Sequence, residues 1–170
     1  MRVFLVGFMA AGKSTVGRQL AARLGWNFLD LDRRVERMAS QPLARLFEEL
    51  GEEAFRARET MALRESCSAP RIVVATGGGA FSRPENRELI SRHGTSVFLD
   101  PPFDLIWRRL EKSPVERPLL SSREKTEELW SNRRRDYLRA DIRVEVAEEG
   151  EPAAVAGKII DALRENPCAT

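Results

Sequence analysis

The chain has 170 residues, of which 42% are hydrophobic and 32% charged. That length suits one domain over 1–170 with a core of its own, and a charged fraction above the ordinary level of about 25% predicts a surface rich in ion pairs. A net charge of +2 is too balanced to indicate a nucleic-acid or membrane surface, and no stretch approaches the ~18 consecutive apolar residues of a membrane span.

Short β-like runs alternate with helix-like segments. Arg2 to Val6 reads as a buried parallel strand, followed by a helix from Lys13 to Leu24 that Gly25 closes. Asn27 to Leu29 is a short strand. Helices are predicted over Asp32 to Ala39, Pro42 to Leu50 and Glu52 to Cys67. A strand at Arg71 to Ala75 leads into Gly77, Gly78 and Gly79. Then come a helix over Pro84 to Arg92, a strand over Thr95 to Leu99, and helices over Pro102 to Glu111 and Lys125 to Arg139. A last strand at Ile142 to Val146 precedes a helix over Pro152 to Arg164. The alternation argues an α/β fold with a parallel sheet between helices. The irregular polar segment Ser113 to Ser122, with prolines at 114 and 118, reads as a functional flap or an ordinary surface loop.

Cys67 and Cys168 lie far apart and form no C-x-x-C pair, so neither a zinc site nor a disulfide framework is indicated. Free thiols in a reducing cytoplasm are expected. The apolar run before Gly7 has no signal-type cleavage region. A soluble cytoplasmic protein is the reading.

Residues Gly7-Phe8-Met9-Ala10-Ala11-Gly12-Lys13-Ser14 fit the phosphate-binding pattern G-x-x-x-x-G-K-[ST]. The motif follows a predicted strand and opens a predicted helix, the context that gives it meaning. Glycines let successive N–H groups turn inward toward phosphate oxygens, and the helix N-terminus adds partial positive charge. Lys13 then reaches the β- and γ-phosphates of a nucleotide, and the Ser14 hydroxyl is a ligand for Mg²⁺; the loop alone does not separate a kinase from a GTPase, an ATPase motor or a nucleotide-binding switch. No guanine-reading NKxD motif is found.

The rest of the chemistry lies downstream. Asp30 and Asp32 end the second strand, where open α/β sheets bind ligands; one carboxylate suits a magnesium shell and the other a hydroxyl proton. Either residue could instead cap the following helix. Arg56 could pair bidentately with a substrate carboxylate, with Glu59 orienting it, or the two could form a surface ion pair. Gly77 to Gly79 allow a close backbone approach or make a flexible turn. Arg117 sits in the irregular segment, within reach of a transferring phosphate. Of Arg133, Arg134 and Arg135, two are expected to be solvated. His93 reads as a helix-end residue, and Trp26, Trp107 and Trp130 as packing residues.

In order, the chain carries a P-loop, F-x-D-x-D, F-R-x-x-E, G-G-G, R-P-L-L and R-x-x-x-Y. This set resembles the shikimate kinases, from Arg2 to about Leu163. The resemblance implies a nucleoside-monophosphate-kinase-like three-layer fold with a five-stranded parallel sheet. It implies transfer of the ATP γ-phosphate to the 3-hydroxyl of shikimate, with Mg²⁺, by a cytoplasmic monomer. By motif position, Lys13, Asp32 and Arg117 would be catalytic. Gly7, Ala10, Ala11, Gly12, Lys13, Ser14, Thr15, Arg109, Arg117 and Pro152 would bind nucleotide, and Ser14 and Asp30 the metal. Asp32, Arg56, Gly78, Gly79 and Arg133 would hold the substrate, walled by Leu43, Phe47, Phe55, Pro118 and Leu119. The substrate-binding helical segment would span about 33–62 and a mobile lid about 112–123. The chain departs from the family in two places. Ala10 stands where glycine is usual, and the R-x-P-x-Y proline is missing, which leaves Arg134 an alternative to Arg133. Related small-molecule kinases, such as gluconate or nucleotide kinases, and a non-catalytic nucleotide sensor are the competing readings.

Overall fold

Five strands pair in parallel in the order β2-β3-β1-β4-β5. The computed structural model describes residues 1–113, 122–147 and 150–166. The strands are β1 (Arg2–Val6), β2 (Asn27–Asp30), β3 (Ile72–Ala75), β4 (Thr95–Asp100) and β5 (Ile142–Glu145). The helices are α1 (Lys13–Leu24), α2 (Leu31–Ala39), α3 (Leu43–Ser66), α4 (Pro84–His93), α5 (Phe103–Glu111), α6 (Arg123–Tyr137) and α7 (Pro152–Glu165). Among the described residues, none of these helices is long and apolar enough to cross a membrane.

The period of two along a strand sends alternate side chains to opposite faces. Phe4, Val6, Val74 and Phe98 enter one core with helix residues such as Leu46, Leu63, Ile106 and Tyr137. Val3, Leu5, Val73, Val97 and Leu99 enter the other, covered by α1 and α7 through Val16, Leu20, Val155 and Ile159. Both faces are therefore buried, which explains why the strands read as continuous apolar runs. Each fully buried aliphatic or phenyl side chain contributes roughly 1.5–3 kcal/mol by leaving water.

Local signals set the element ends. Gly25 closes α1 at φ 66°, and the Trp26 N–H returns to the Ala21 carbonyl at 2.9 Å. Asp30 caps α2, accepting from the Arg33 N–H at 3.3 Å, so the helix starts at Leu31 rather than Asp32. Ser122 caps α6 in the same way, which starts it at Arg123 rather than Lys125. The two helices expected over 42–67 occupy the span Leu43–Ser66 and are separated at Gly51, whose φ of 76° and ψ of 169° are not helical. A 3₁₀ turn at Ala80–Ser82 was not foreseen. Cys67 is buried and donates to the Leu63 carbonyl; Cys168 lies outside the described residues.

Candidate active site

All the site elements meet at the carboxyl ends of the strands. There they enclose a cavity of about 880 Å³. The loop between β1 and α1 forms one wall, with Ala10, Ala11, Gly12, Lys13, Ser14 and Thr15 lining it. Gly7 does not line the cavity. Its φ of 141° makes the turn out of β1, and a Cβ there would fall 2.8 Å from the Leu99 carbonyl oxygen. Lys13 is 9% exposed, and its ammonium donates to the Gly7 and Phe8 carbonyls, each at 2.8 Å. Ala10 adopts φ 60°, a left-handed conformation that costs a non-glycine residue about 1–2 kcal/mol. Its carbonyl accepts from Arg109 Nη1 at 3.1 Å, which ties α5 to the loop.

Asp30 makes two contacts of its own. Besides capping α2, it accepts from the Ser14 hydroxyl through Oδ2 at 2.5 Å. A hydroxyl and a carboxylate converging beside a phosphate loop are hard oxygen donors, the set Mg²⁺ takes together with phosphate oxygens and water. Asp32 lies one residue into α2 and also lines the cavity. A Cβ at Gly77 would meet Asp32 Oδ1 at 2.8 Å and collide with Glu59 Oε1. The bare glycine backbone is thus what lets both carboxylates sit over that turn.

The Arg56–Glu59 pair is not on the surface. Arg56 is 8% exposed and Glu59 3%. Arg56 Nη1 pairs with Glu59 and Nη2 with Glu52 at 3.3 Å. Burial opposes the Arg56 charge, but Glu59 and Glu52 more than offset it and its pKa is raised. Burial pushes the Glu59 carboxyl above the usual carboxylate range, against the pull of Arg56, Arg133 and Arg83. Buried Arg56 and half-buried Arg133 both line the cavity, and Arg133 makes no hydrogen bond to another described residue. It lies over the Phe8 ring at 5.9 Å, and burial holds its pKa below the ordinary arginine value. An anionic group in the cavity would supply the hydrogen bonds and charge that Arg133 lacks.

Arg134, the alternative to Arg133, points elsewhere. Its Nε and Nη2 bind the Asp100 carboxylate at 3.0 and 2.7 Å, and Arg143 Nε adds a third donor at 2.8 Å. Leu43, Phe47, Phe55, Gly78, Gly79, Arg109 and Pro152 all line the cavity. Phe47 and Phe55 meet edge to face at 5.5 Å. Trp107 and Trp130 pack against Phe103, and His93 Nδ1 lies 2.8 Å from the Leu89 carbonyl oxygen. Arg117, Pro118 and Leu119 lie outside the described residues. Asn86, Arg87, Asp100 and Tyr137 were given no role from the sequence, because their partners are far along the chain.

A parallel five-stranded sheet, a phosphate loop on its central strand and acid and base groups around one crevice define a P-loop phosphotransferase of the nucleoside-monophosphate-kinase type. The fold matches a deoxyadenosine kinase from M. mycoides with TM-score 0.65 at 14% identity, covering 97% of this chain and 99% of that one. Within that class the chain belongs to the shikimate kinase family, whose model matches residues 9–164. A shikimate kinase of Nitratidesulfovibrio vulgaris is 44% identical over 95% of this chain and 94% of its own. The structure of a shikimate kinase from Acinetobacter baumannii in complex with shikimate superposes with TM-score 0.92 at 38% identity, covering 97% and 93%.

Proposed function

We propose that the chain transfers the γ-phosphoryl group of ATP to the 3-hydroxyl of shikimate, yielding shikimate 3-phosphate and ADP in the route to aromatic amino acids. The observation that carries this reading is the continuity of the cavity. The phosphate loop, Asp32 and the Arg56–Arg133 wall all face one volume of about 880 Å³, so one ligand can meet the cations while its hydroxyl meets the acid.

On this reading Arg56 and Arg133 hold the substrate carboxylate by charge-assisted hydrogen bonds. The carboxylate of Asp32 orients the attacking hydroxyl and accepts its proton as the O–P bond forms. Lys13 exchanges its bonds to Gly7 and Phe8 for phosphate oxygens, and the loop N–H groups take the rest. Ser14 and Asp30 would hold Mg²⁺, which neutralises phosphate charge when bound. Arg109 and Pro152 flank the nucleobase. Arg117 contacts the phosphates, with Pro118 and Leu119 against the substrate, as the family resemblance implies. The family resemblance supports reading the protein as a cytoplasmic monomer that acts without nucleic acid or membrane.

The test is ADP release by purified protein with ATP and Mg²⁺, with shikimate, gluconate or a nucleoside monophosphate. Release that depends on shikimate alone is expected. Release with another acceptor but not shikimate would move the substrate to a related kinase.

A further inference from the structure

Gly78 and Gly79 continue into the 3₁₀ turn Ala80–Ser82, and this segment is fastened by side chains of both α4 and α6. The Tyr137 hydroxyl donates to the Gly78 carbonyl. Tyr137 is 1% exposed, and burial keeps its hydroxyl protonated by pushing its pKa well above the ordinary value. Asn86, with no exposed surface, donates from Nδ2 to the Ala80 carbonyl at 2.9 Å. Arg87 Nη1 donates to the Phe81 carbonyl at 2.9 Å and the Ser82 carbonyl at 2.8 Å. The same nitrogen lies 3.6 Å from Asp136 Oδ1, an ion pair just beyond hydrogen-bond reach.

The contacts close a loop. Arg87 holds the turn and faces Asp136; Asp136 adjoins Tyr137; Tyr137 holds Gly78; and Gly78 runs back into the turn. Arg56 rests against Gly79 on this loop, and Arg133 projects one helical turn before Tyr137. Neither cavity-facing arginine is bonded to the other, and both carry positive charge; burial, and after it the charge of Arg56, lowers the Arg133 pKa. Contacts beyond the two side chains must therefore fix their separation.

We propose that Arg87 is a positioning residue that sets the spacing between Arg56 and Arg133, and with it the preference of the site for a carboxylate. The proposal rests on the reading that these two arginines hold the substrate carboxylate. Arg87 does not line the main cavity and acts only through the glycine turn and α6. Methionine at 87 would remove both carbonyl contacts and the charge facing Asp136. Lysine would retain the charge but lacks the fork that spans two carbonyls. Asp136→Asn loosens the loop from its other side without touching the turn.

The experiment measures the dissociation constants of shikimate and its neutral carboxamide, and of an ATP analogue, for folded wild type, Arg87→Met, Arg87→Lys and Asp136→Asn. Wild type is expected to prefer the acid to the amide. In Arg87→Met that preference should shrink on the order of 10-fold, because small displacements of a two-point clamp are costly. Asp136→Asn and Arg87→Lys should fall between, and affinity for the ATP analogue should stay within about 2-fold. If Arg87→Met does not fold, Asp136→Asn carries the test alone. A wild type that binds the amide as well as the acid overturns the carboxylate clamp and this proposal with it. A wild type that prefers the acid, with that preference undiminished in every folded variant, overturns the positioning role alone. An equal loss of ATP-analogue affinity would also overturn it, since a general loosening of the fold would then be the cause.

Discussion

A side chain at Gly79 would collide with Arg56: a Cβ there falls 2.6 Å from the guanidinium carbon and 2.7 Å from each terminal nitrogen. The glycine is therefore required by the arginine, and its backbone freedom is secondary, since its φ of −103° is open to any residue. Gly79→Ala is expected to displace Arg56 and raise the KM for shikimate by about 10- to 100-fold, the worth of hydrogen bonds to a charged group. Steady-state kinetics against both substrates checks this. An unchanged shikimate KM would show that Arg56 has room to move.

Ala10 holds a left-handed backbone at φ 60°. Glycine takes that conformation without steric cost, although it loses more entropy on folding. Ala10→Gly should stabilise the protein by up to about 1 kcal/mol and raise its Tm by roughly 2–4 °C. Thermal unfolding without nucleotide is the measurement. A lower Tm would mean that Arg109 and the loop already relieve the strain.

The adjacent arginines of α6 should separate cleanly. Arg134→Ala breaks the bidentate contact to Asp100, whose side chain is 4% exposed, but Arg134 itself is 30% exposed. Solvent screening reduces the loss to about 1–3 kcal/mol of stability, with the shikimate KM within about 2-fold. Arg133→Ala should do the reverse, raising that KM about 10- to 100-fold and sparing the Tm. Swapped phenotypes would reassign the clamp.

Asp32→Asn keeps the shape of the side chain and removes its ability to accept a proton. Its kcat should fall about 10²- to 10⁴-fold if Asp32 serves as the base, with the thermal transition unmoved. A fall under tenfold in rapid-quench turnover would reduce Asp32 to orienting the hydroxyl.

Glu59 supplies a pH signature. Burial raises its carboxyl above the ordinary 4.5, so the native state binds this proton more readily than the unfolded chain. The stability tied to it is fully present below 4.5 and is lost as pH rises through the folded pKa. Glu59→Gln cannot titrate. The stability of wild type minus that of the variant should therefore decline with rising pH across this window in denaturant titrations. A difference that grows with pH would show the Arg56 ion pair outweighing burial.

Much of this site could be read from the chain because its signals are local. The phosphate loop carries its own glycines, lysine and helix start, and α1 occupies Lys13–Leu24 as expected. The burial of Arg56 could not be read, because an i,i+3 ion pair has the same spacing on a surface or under a turn. What buries it is the glycine turn after β3, some twenty residues on. The choice between Arg133 and Arg134 depended on the rotation of α6, which Asp100 on β4 and Gly78 in the turn after β3 fix from far along the chain. Arg87 gave no signal, because its acceptors are main-chain carbonyls, which leave no trace in residue type.

The strand order β2-β3-β1-β4-β5 has a consequence for how such a protein changes. The loop proposed to take phosphate hangs from the central strand, and the residues proposed to flank the base follow β4 and β5. The groups proposed to choose the acceptor follow β2 and β3, with Arg133 reaching across on α6. Most of acceptor choice is thus confined to one flank of the sheet. New acceptors can be acquired there by drift while the donor half keeps its geometry.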